Sequence, residues 1–243
     1  MCCYKYMNYF YLKVCLLICF IFAISYFNTY MDANTNTNAN AKLIKESFNS
    51  SNNRTIVLLG DSILKNNAYA SDGKGIDDLL LERNKQTYSY AVDNSNIVNV
   101  YNQINEIPID LNTPSTTIFL SAGGNDILNH YHESGGDIRD TSVLSTIFAA
   151  YKKMIKAIRA KMNQCNLVLL DIYYPDNTKY TQYHPIIREW NKLIYDYEEQ
   201  PSNNINSVLR VSSMLTQNDD FTLSIEPSSS GGLKIADSIL NSY

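Results

Sequence analysis

Residues 55–64 read TIVLLGDSIL, and this stretch decides the fold class. The run from Thr55 to Leu59 is apolar or β-branched throughout, and Gly60 ends it. An unbroken apolar run of this length, bounded by a turn residue, is typical of a fully buried strand. Strands buried on both faces occur mainly in parallel sheets that helices cover, so the stretch favours an α/β domain.

The rest of the chain repeats this alternation of short apolar runs and amphipathic segments. Further strands are predicted at 87–92, 116–121, 166–172 and 207–211, and helices at 75–83, 97–104, 141–162, 185–197 and 233–240. With right-handed crossovers, this order predicts a three-layer α/β/α domain, doubly wound around a parallel five-stranded sheet of the flavodoxin-like type. Such sheets bind ligands outside the carboxyl ends of their strands.

Composition excludes several classes of function. The chain has 243 residues and a net charge of -4, with no basic stripe, so no nucleic-acid partner is expected. Cys165 is the only cysteine outside the first segment, and the three histidines do not stand at ligand spacing with cysteines. We therefore expect neither a disulfide framework nor a metal site; no organic cofactor is implied either.

The first segment contains an apolar core, VCLLICFIFAI, at 14–24, with Lys5 and Lys13 before it. This pattern predicts that residues 1–31 are a signal peptide or an N-terminal membrane anchor, two alternatives that the sequence leaves open. Residues 32–53 are rich in Asn, Thr and Ser and are interpreted as a polar linker. In either case the domain at 54–243 is expected on the non-cytoplasmic side, secreted or membrane-anchored.

Polar residues stand after the predicted strands, where the ligand site is expected. Ser62 follows the first strand and is predicted to lie on a tight strand-to-helix turn, either facing the cleft or only capping the helix. Asn94 follows the second strand and Asn125 the third. An Asn side chain there either donates an N–H to a developing oxyanion or only forms a turn. Glu226 lies in the loop before the last helix.

Three motifs together carry a family resemblance. LLGDSIL at 58–64, SAGGNDIL at 121–128 and IEPSSSGGLKIADSI at 225–239 resemble, in order and spacing, the blocks of the SGNH (GDSL-type) serine hydrolases. The resemblance implies that Ser62 is the nucleophile. It also implies an oxyanion hole formed by the N–H groups of Ser62 and Asn94 and the Asn125 amide, and supporting roles for Gly60, Asp61, Gly124 and Asp126.

The chain departs from the family pattern in its last block. Glu226 stands where the family has its catalytic His, and Leu223 where it has the Asp that orients that His. The family's second block aligns with AVDNSNIVNVYNQI at 91–104, where Asn94 takes the place of a glycine. An asparagine keeps the backbone N–H and tolerates left-handed geometry. Glu has a reference pKa of about 4.3 against about 6.5 for His, and partial burial narrows that gap. His184 is a possible alternative base.

The leading hypothesis is a serine esterase that cleaves acyl or acetyl esters of lipids or carbohydrates through Ser62, with Glu226 as a substitute base. One alternative is a catalytically degraded module of the same fold that binds glycan or lipid. Another is a structural surface protein tethered by its N-terminal segment. The expected partners are a small-molecule, glycan or lipid ester and, if residues 1–31 remain attached, a membrane; the oligomeric state is open.

Overall fold

The computed structural model describes residues 54–242. The predicted signal peptide or anchor at 1–31 and the linker at 32–53 lie outside the described residues. Within 54–242, no helix is both long and apolar enough to cross a bilayer.

The core of the domain is a parallel sheet, as predicted. Its strands run in the order β2-β1-β3-β4-β5, and every neighbouring pair is parallel. The strand order changes direction beside β1, so the carboxyl ends of β1 and β3 are neighbours at the point where such folds bind ligands. The strands are β1 (Thr55–Leu59), β2 (Thr87–Ser89), β3 (Thr116–Leu120), β4 (Asn166–Leu170) and β5 (Ser207–Leu209).

Helices cover both faces of the sheet, which confirms the three-layer α/β/α prediction. Alternate residues of each strand point to opposite faces and pack into two separate buried clusters. Helices α2, α4 and α5 contribute to the first cluster, and α1 and α7 to the second. The helices are α1 (Ile76–Arg83), α2 (Ile97–Glu106), α3 (Gly124–Leu128), α4 (Ser142–Lys161), α5 (His184–Glu198), α6 (Val211–Met214) and α7 (Ser229–Asn241).

Some elements differ from the sequence-based expectations. Strand β2 ends at Ser89 rather than at residue 92, yet the N–H groups of Tyr90 and Val92 still donate to the carbonyls of Leu58 and Gly60. The chain therefore continues beside β1 without regular strand geometry. A short antiparallel hairpin of β6 (Phe221–Thr222) and β7 (Glu226–Pro227) was not predicted, and neither was α3, which continues as a π-helix over Asn129–Glu133.

Gly60 allows the ends of β1 and β3 to approach each other closely. Its φ is +140°, a backbone conformation that residues with a side chain rarely adopt. A Cβ atom at this position would overlap the carbonyl oxygen of Ser121, the residue after β3. The glycine is therefore required both by its dihedral angle and by the space available.

Replacing Gly60 by Ala is expected to cost about 3 kcal/mol or more of unfolding free energy, because backbone must move to admit the methyl group. Gly73 offers a matched control, since it also has positive φ, +73°, but nothing lies within 4 Å of its hypothetical Cβ. Gly73→Ala should cost only about 1 kcal/mol, the backbone penalty alone. Urea denaturation of both variants measures the difference, and equal losses would contradict the steric argument.

Candidate active site

The turn after β1 carries Asp61 and Ser62, and both residues are buried. The Asp61 carboxylate accepts hydrogen bonds from the Ser121 hydroxyl at 2.5 Å and from the Ile63 N–H at 3.1 Å. Its backbone carbonyl accepts from the N–H groups of Leu64 and Lys65, which closes a single turn. These bonds fix the backbone on both sides of Ser62.

No helix directly follows Ser62, so the prediction of a strand-to-helix turn at this residue is wrong. The next helix, α1, begins only at Ile76, and Ser62 therefore caps no helix. The reason lies in the side chain of Asn66, which is buried and accepts the Ile76 N–H at 2.8 Å. A short polar side chain that bonds the backbone in this way stabilises a loop in place of a helix.

Gln103 links the Ser62 turn to the loop after β2. It is 3% exposed on the inner face of α2. Its side chain accepts the Gly60 N–H at 2.7 Å and donates to the Gly60 carbonyl at 2.8 Å. The same amide nitrogen lies 3.0 Å from the Ser95 hydroxyl. The sequence analysis missed this residue, although a glutamine on an otherwise apolar helix face is the kind of buried polar group that signals a specific partner.

Asn125 lies in α3, directly after β3, at the same edge of the sheet as the Ser62 turn. Its side-chain nitrogen donates to the Ser95 carbonyl at 2.9 Å, and the amide retains a second N–H. The Asp126 carboxylate accepts the Ile97 N–H at 3.0 Å and so joins α3 to the start of α2. The preceding Gly123 has φ +104°, and a Cβ atom there would overlap the Trp190 ring. The turn that carries Asn125 is therefore determined by close packing.

Asn94 has the left-handed backbone geometry that was expected because it stands where the family has a glycine. Its φ is 60°, and its side chain is exposed. The neighbouring Asp93 accepts a hydrogen bond from the Tyr69 hydroxyl at 2.7 Å. Burial and this hydrogen bond raise the pKa of Tyr69, so the phenol remains protonated at neutral pH.

The β6–β7 hairpin holds Glu226 in place. Thr222 pairs with Glu226 across the hairpin, and both tip residues, Leu223 and Ser224, have positive φ. The side chain of Leu223 is 71% exposed. Behind the hairpin, the Asn66 side chain donates to the Pro227 carbonyl at 3.1 Å. Backbone pairing and this bond thus position Glu226.

Asp220 anchors the base of the hairpin. It closes a 3-10 turn over Asn218–Asp220. Its carboxylate accepts the N–H groups of Thr216 and Gln217, each at 3.0 Å, and pairs with Lys234 at 2.6 Å. Its carbonyl accepts the Ser228 N–H at 2.9 Å.

The carboxyl group of Glu226 has the electrostatics of a base near neutral pH. Burial raises its pKa to about 7, and the negative charges of Asp93 and Asp61 act in the same direction. The nearby Ser62 side chain opposes this rise. The second carboxyl oxygen, Oε2, is buried and has no hydrogen-bond partner among the described residues. The difference in basicity from histidine, expected from the reference values, is therefore removed by burial.

The pKa of Asp61 is raised as well. Burial raises its pKa to about 6, and the hydrogen bonds from Ser121 and Ile63 oppose the shift. Two carboxyl groups with raised pKa values thus line the same pocket as Ser62. Perturbed carboxyls in one cleft are a common feature of functional sites.

One pocket, the Ser62 pocket, brings most of the predicted site residues together. Its total empty volume is about 590 Å³, the part open to solvent included. The predicted residues Gly60, Asn94, Asp126 and His184 do not line it. The described residues that line it are Asp61, Ser62, Ile63, Gly124, Asn125, Ile127, Leu128, Ile172, Tyr173, Pro175, Tyr180, Tyr183, Ile187, Ile225 and Glu226.

His184 begins α5 and is turned to a different partner. Its Nε2 atom lies 2.8 Å from the carbonyl oxygen of Pro175, and its ring packs against Tyr174. A carbonyl only accepts hydrogen bonds, so Nε2 carries the proton. His132 approaches the pocket wall indirectly, with Nδ1 3.0 Å from the Tyr183 hydroxyl. Glu226 is thus the one of the two candidate bases that lines the Ser62 pocket.

Comparisons with known proteins give similarity at the level of structure. No protein-family profile matches the sequence, and no curated protein matches it. A lipase from a goat rumen metagenome superposes with a TM-score of 0.60 at 17% identity, covering 76% of this chain and 95% of its own. A member of the lipolytic G-D-S-L family from Veillonella parvula gives 0.58 at 20% identity, with 78% and 98% coverage. An acetylxylan esterase from Geobacillus stearothermophilus gives 0.55 at 13% identity, with 77% and 93% coverage.

The raised pKa of Glu226 predicts an unusual dependence of stability on pH. Because the folded state binds this proton more tightly than the unfolded state, the stabilisation is complete below the ordinary Glu pKa and is lost as the pH rises to about 7. Glu226→Gln removes the titration. Relative to wild type, the variant should gain about 2 kcal/mol of unfolding free energy between about pH 5 and about pH 8.

Denaturant unfolding of both proteins at the two pH values measures this gain. Because the charges of Asp61 and Glu226 are coupled, the same comparison in an Asp61→Asn background separates the contribution of Glu226 alone. Glu106→Gln, at an exposed position at the end of α2, supplies the matched control substitution. A stability difference between wild type and Glu226→Gln that stays constant with pH would show that the Glu226 pKa is ordinary.

Proposed function

We propose that this chain, which has the fold of the GDSL/SGNH lipases and esterases, is a serine ester hydrolase with Ser62 as nucleophile and Glu226 as base. The observation that carries the proposal is the Ser62 pocket itself. A serine, an oriented asparagine amide and a carboxyl group with a pKa of about 7 line one cavity at the carboxyl ends of the strands. These are the three groups that acyl transfer requires.

In the proposed first step, the Ser62 hydroxyl attacks the ester carbonyl while ionised Glu226 accepts its proton. The carbonyl oxygen becomes an oxyanion. The Ser62 N–H and the free N–H of the Asn125 amide, two residues that line the pocket, are assigned to stabilise it. The Asn94 N–H, expected as a third donor, belongs to a residue that does not line the pocket and is left out of this assignment. The bond from the Asn125 nitrogen to the Ser95 carbonyl supports this assignment, since it orients the amide before the reaction begins.

The tetrahedral intermediate then collapses, and protonated Glu226 returns its proton to the leaving alcohol oxygen. This leaves an acyl group on the Ser62 oxygen. In the second half of the reaction, Glu226 takes a proton from water, the resulting hydroxide equivalent attacks the acyl carbon, and Ser62 regains its proton as the carboxylic acid leaves. Glu226 alternates between base and acid, which a pKa near neutrality allows in both directions.

A carboxylate base has one cost that its raised pKa does not remove. Histidine becomes a cation when it accepts the serine proton and so supports the oxyanion, whereas Glu226 becomes neutral. In compensation, a carboxylate has no tautomers, so it needs no Asp to orient it. The exposed position of Leu223, where an orienting Asp would stand in the family, agrees with this simplification.

The proposed substrates are acyl or acetyl esters of lipids or carbohydrates. The similarity to a lipase and to an acetylxylan esterase supports both classes. The proposal includes a location on the non-cytoplasmic side of a membrane, because residues 1–31 have the sequence pattern expected of a signal peptide or anchor. A module of this fold that only binds such molecules is the alternative outcome of the test below.

A fluorophosphonate probe tests for an activated serine. Wild-type protein should be labelled covalently, and Ser62→Ala should not be labelled at all. Glu226→Gln should be labelled about 10²- to 10⁴-fold more slowly, because the base is removed. Ser71→Ala is a suitable control, since Ser71 is an exposed serine bonded to Ser229 and lies outside the Ser62 pocket. Intact-mass spectrometry follows the reaction, and wild-type protein that stays unlabelled at every pH tested would favour the binding module.

A further inference from the structure

Tyr69 and Asp93 form a hydrogen-bonded pair that does not line the Ser62 pocket. The Tyr69 hydroxyl donates to Oδ2 of Asp93 at 2.7 Å, and both residues are half-buried. The second carboxylate oxygen of Asp93, Oδ1, is buried and has no hydrogen-bond partner among the described residues. A buried carboxylate oxygen without a partner is uncommon in folded proteins, so it calls for an explanation beyond local bonding.

Tyr69 belongs to the loop at 65–75, which holds the hairpin that carries Glu226. Asn66, in the same loop, donates from its side chain to the Pro227 carbonyl at 3.1 Å. The backbone carbonyl of Asn66 accepts the Tyr69 N–H at 2.9 Å, which places Tyr69 one turn further along. The loop of Tyr69 is therefore bonded to the chain directly after Glu226.

Asp93 belongs to the loop after β2, which holds Asn125. Ser95, two residues further on, accepts the Asn125 amide on its carbonyl at 2.9 Å. Within residues 54–242, the bond between Tyr69 and Asp93 is the one side-chain hydrogen bond that joins the two loops. It therefore links the part of the site that carries Glu226 to the part that carries Asn125.

Charge also connects this pair to Glu226. The negative charge of Asp93 raises the pKa of Glu226, because a like charge disfavours the ionised form. The charge of Glu226 in turn contributes to the raised pKa of Tyr69, so the phenol lies close to the base as well.

The other groups around Glu226 leave the effect of Asp93 uncompensated. Asp61 acts on Glu226 in the same direction as Asp93, and the neighbouring Tyr173 is kept neutral by a pKa far above its ordinary value. The described residues that line the pocket include no Lys, Arg or His. At the base of the hairpin, Lys234 is paired with Asp220 at 2.6 Å.

Resting on the proposed function, we propose that Tyr69 and Asp93 are positioning residues for the Glu226 base. Their hydrogen bond holds the loops of Glu226 and Asn125 together, and the Asp93 carboxylate makes Glu226 a stronger proton acceptor. This role differs from that of an Asp that orients a catalytic His, because it requires no hydrogen bond between Asp93 and the base. Neither residue has to touch the substrate.

Asp93→Asn tests the charge, because an asparagine still accepts the Tyr69 hydroxyl. In the pH profile of fluorophosphonate inactivation, the bend at about pH 7 should move down by about half a unit to one unit. At about pH 5 the variant should react about two- to threefold faster than wild type, because more Glu226 is ionised. Asp110→Asn, at an exposed position outside the Ser62 pocket, is the matched control and should keep the wild-type bend.

Tyr69→Phe tests the hydrogen bond, because it keeps the ring and the Asp93 carboxylate. The rate above the bend should fall about three- to tenfold, since the two loops lose their connection, while the bend stays at about pH 7. Tyr88→Phe, at an exposed tyrosine of β2, is the matched control. A bend that Asp93→Asn does not move, or a Tyr69→Phe protein as fast as wild type, overturns the proposal.

A titration followed by carbon-13 NMR separates the failure of this inference from the failure of the proposed function. The carboxyl signal of Glu226, assigned with Glu226→Gln, reports the pKa whether or not the protein reacts with the probe. A lower Glu226 pKa in Asp93→Asn than in wild type supports the role of the charge even if wild-type protein stays unlabelled. Equal values in the two proteins contradict it.

Discussion

The side-chain amide of Gln103 holds both polar groups of the Gly60 backbone, and the site depends on this pair of hydrogen bonds. Gly60 follows β1 with a φ of +140° and lies too close to Ser121 for a side chain. Its N–H donates to the Gln103 side chain, and its carbonyl accepts from Gln103 as well as from the Val92 N–H. Buried peptide groups left unpaired cost about 1–3 kcal/mol each. A glutamine buried on α2 satisfies both, and the serine that follows is thereby presented in one orientation.

The same amide also bonds to the loop after β2. Gln103 also contacts Ser95, whose carbonyl accepts a hydrogen bond from Asn125. The carboxyl end of β1, the loop after β2 and the turn after β3 are therefore parts of one hydrogen-bonded network. The fourth part, the β6–β7 hairpin with Glu226, is joined through Asn66 and its bond to the Pro227 carbonyl. Catalytic geometry in this proposal results from backbone groups fixed by two buried amide side chains.

Much of the fold was predictable, because apolar runs and their periodicity report directly on burial. Two strands, Thr55–Leu59 and Thr116–Leu120, are buried at every residue. Their largely apolar sequence predicts this burial. The missing helix after Ser62 was not predictable in this way, since it depends on the hydrogen bond that the Ile76 N–H donates to the Asn66 side chain. The β6–β7 hairpin is equally hidden, because its strands are only two residues long and its tip uses positive φ at Leu223, a residue that rarely adopts it.

For the candidate site, sequence motifs identified the residues but not their electrostatics. Ser62, Asn125 and Glu226 were named from their blocks, and the structure places all three along one pocket. The pKa of Glu226 depends on burial and on the charges of Asp93 and Asp61, which only the folded arrangement determines. The central claim is that this carboxylate takes the proton of Ser62. The most direct measurement is the rate of inactivation by a fluorophosphonate from about pH 5 to about pH 9. The account predicts that the rate rises about tenfold per pH unit, bends at about pH 7 and then stays level. A rate that continues to climb with hydroxide, or one that Glu226→Gln leaves unchanged, would contradict it.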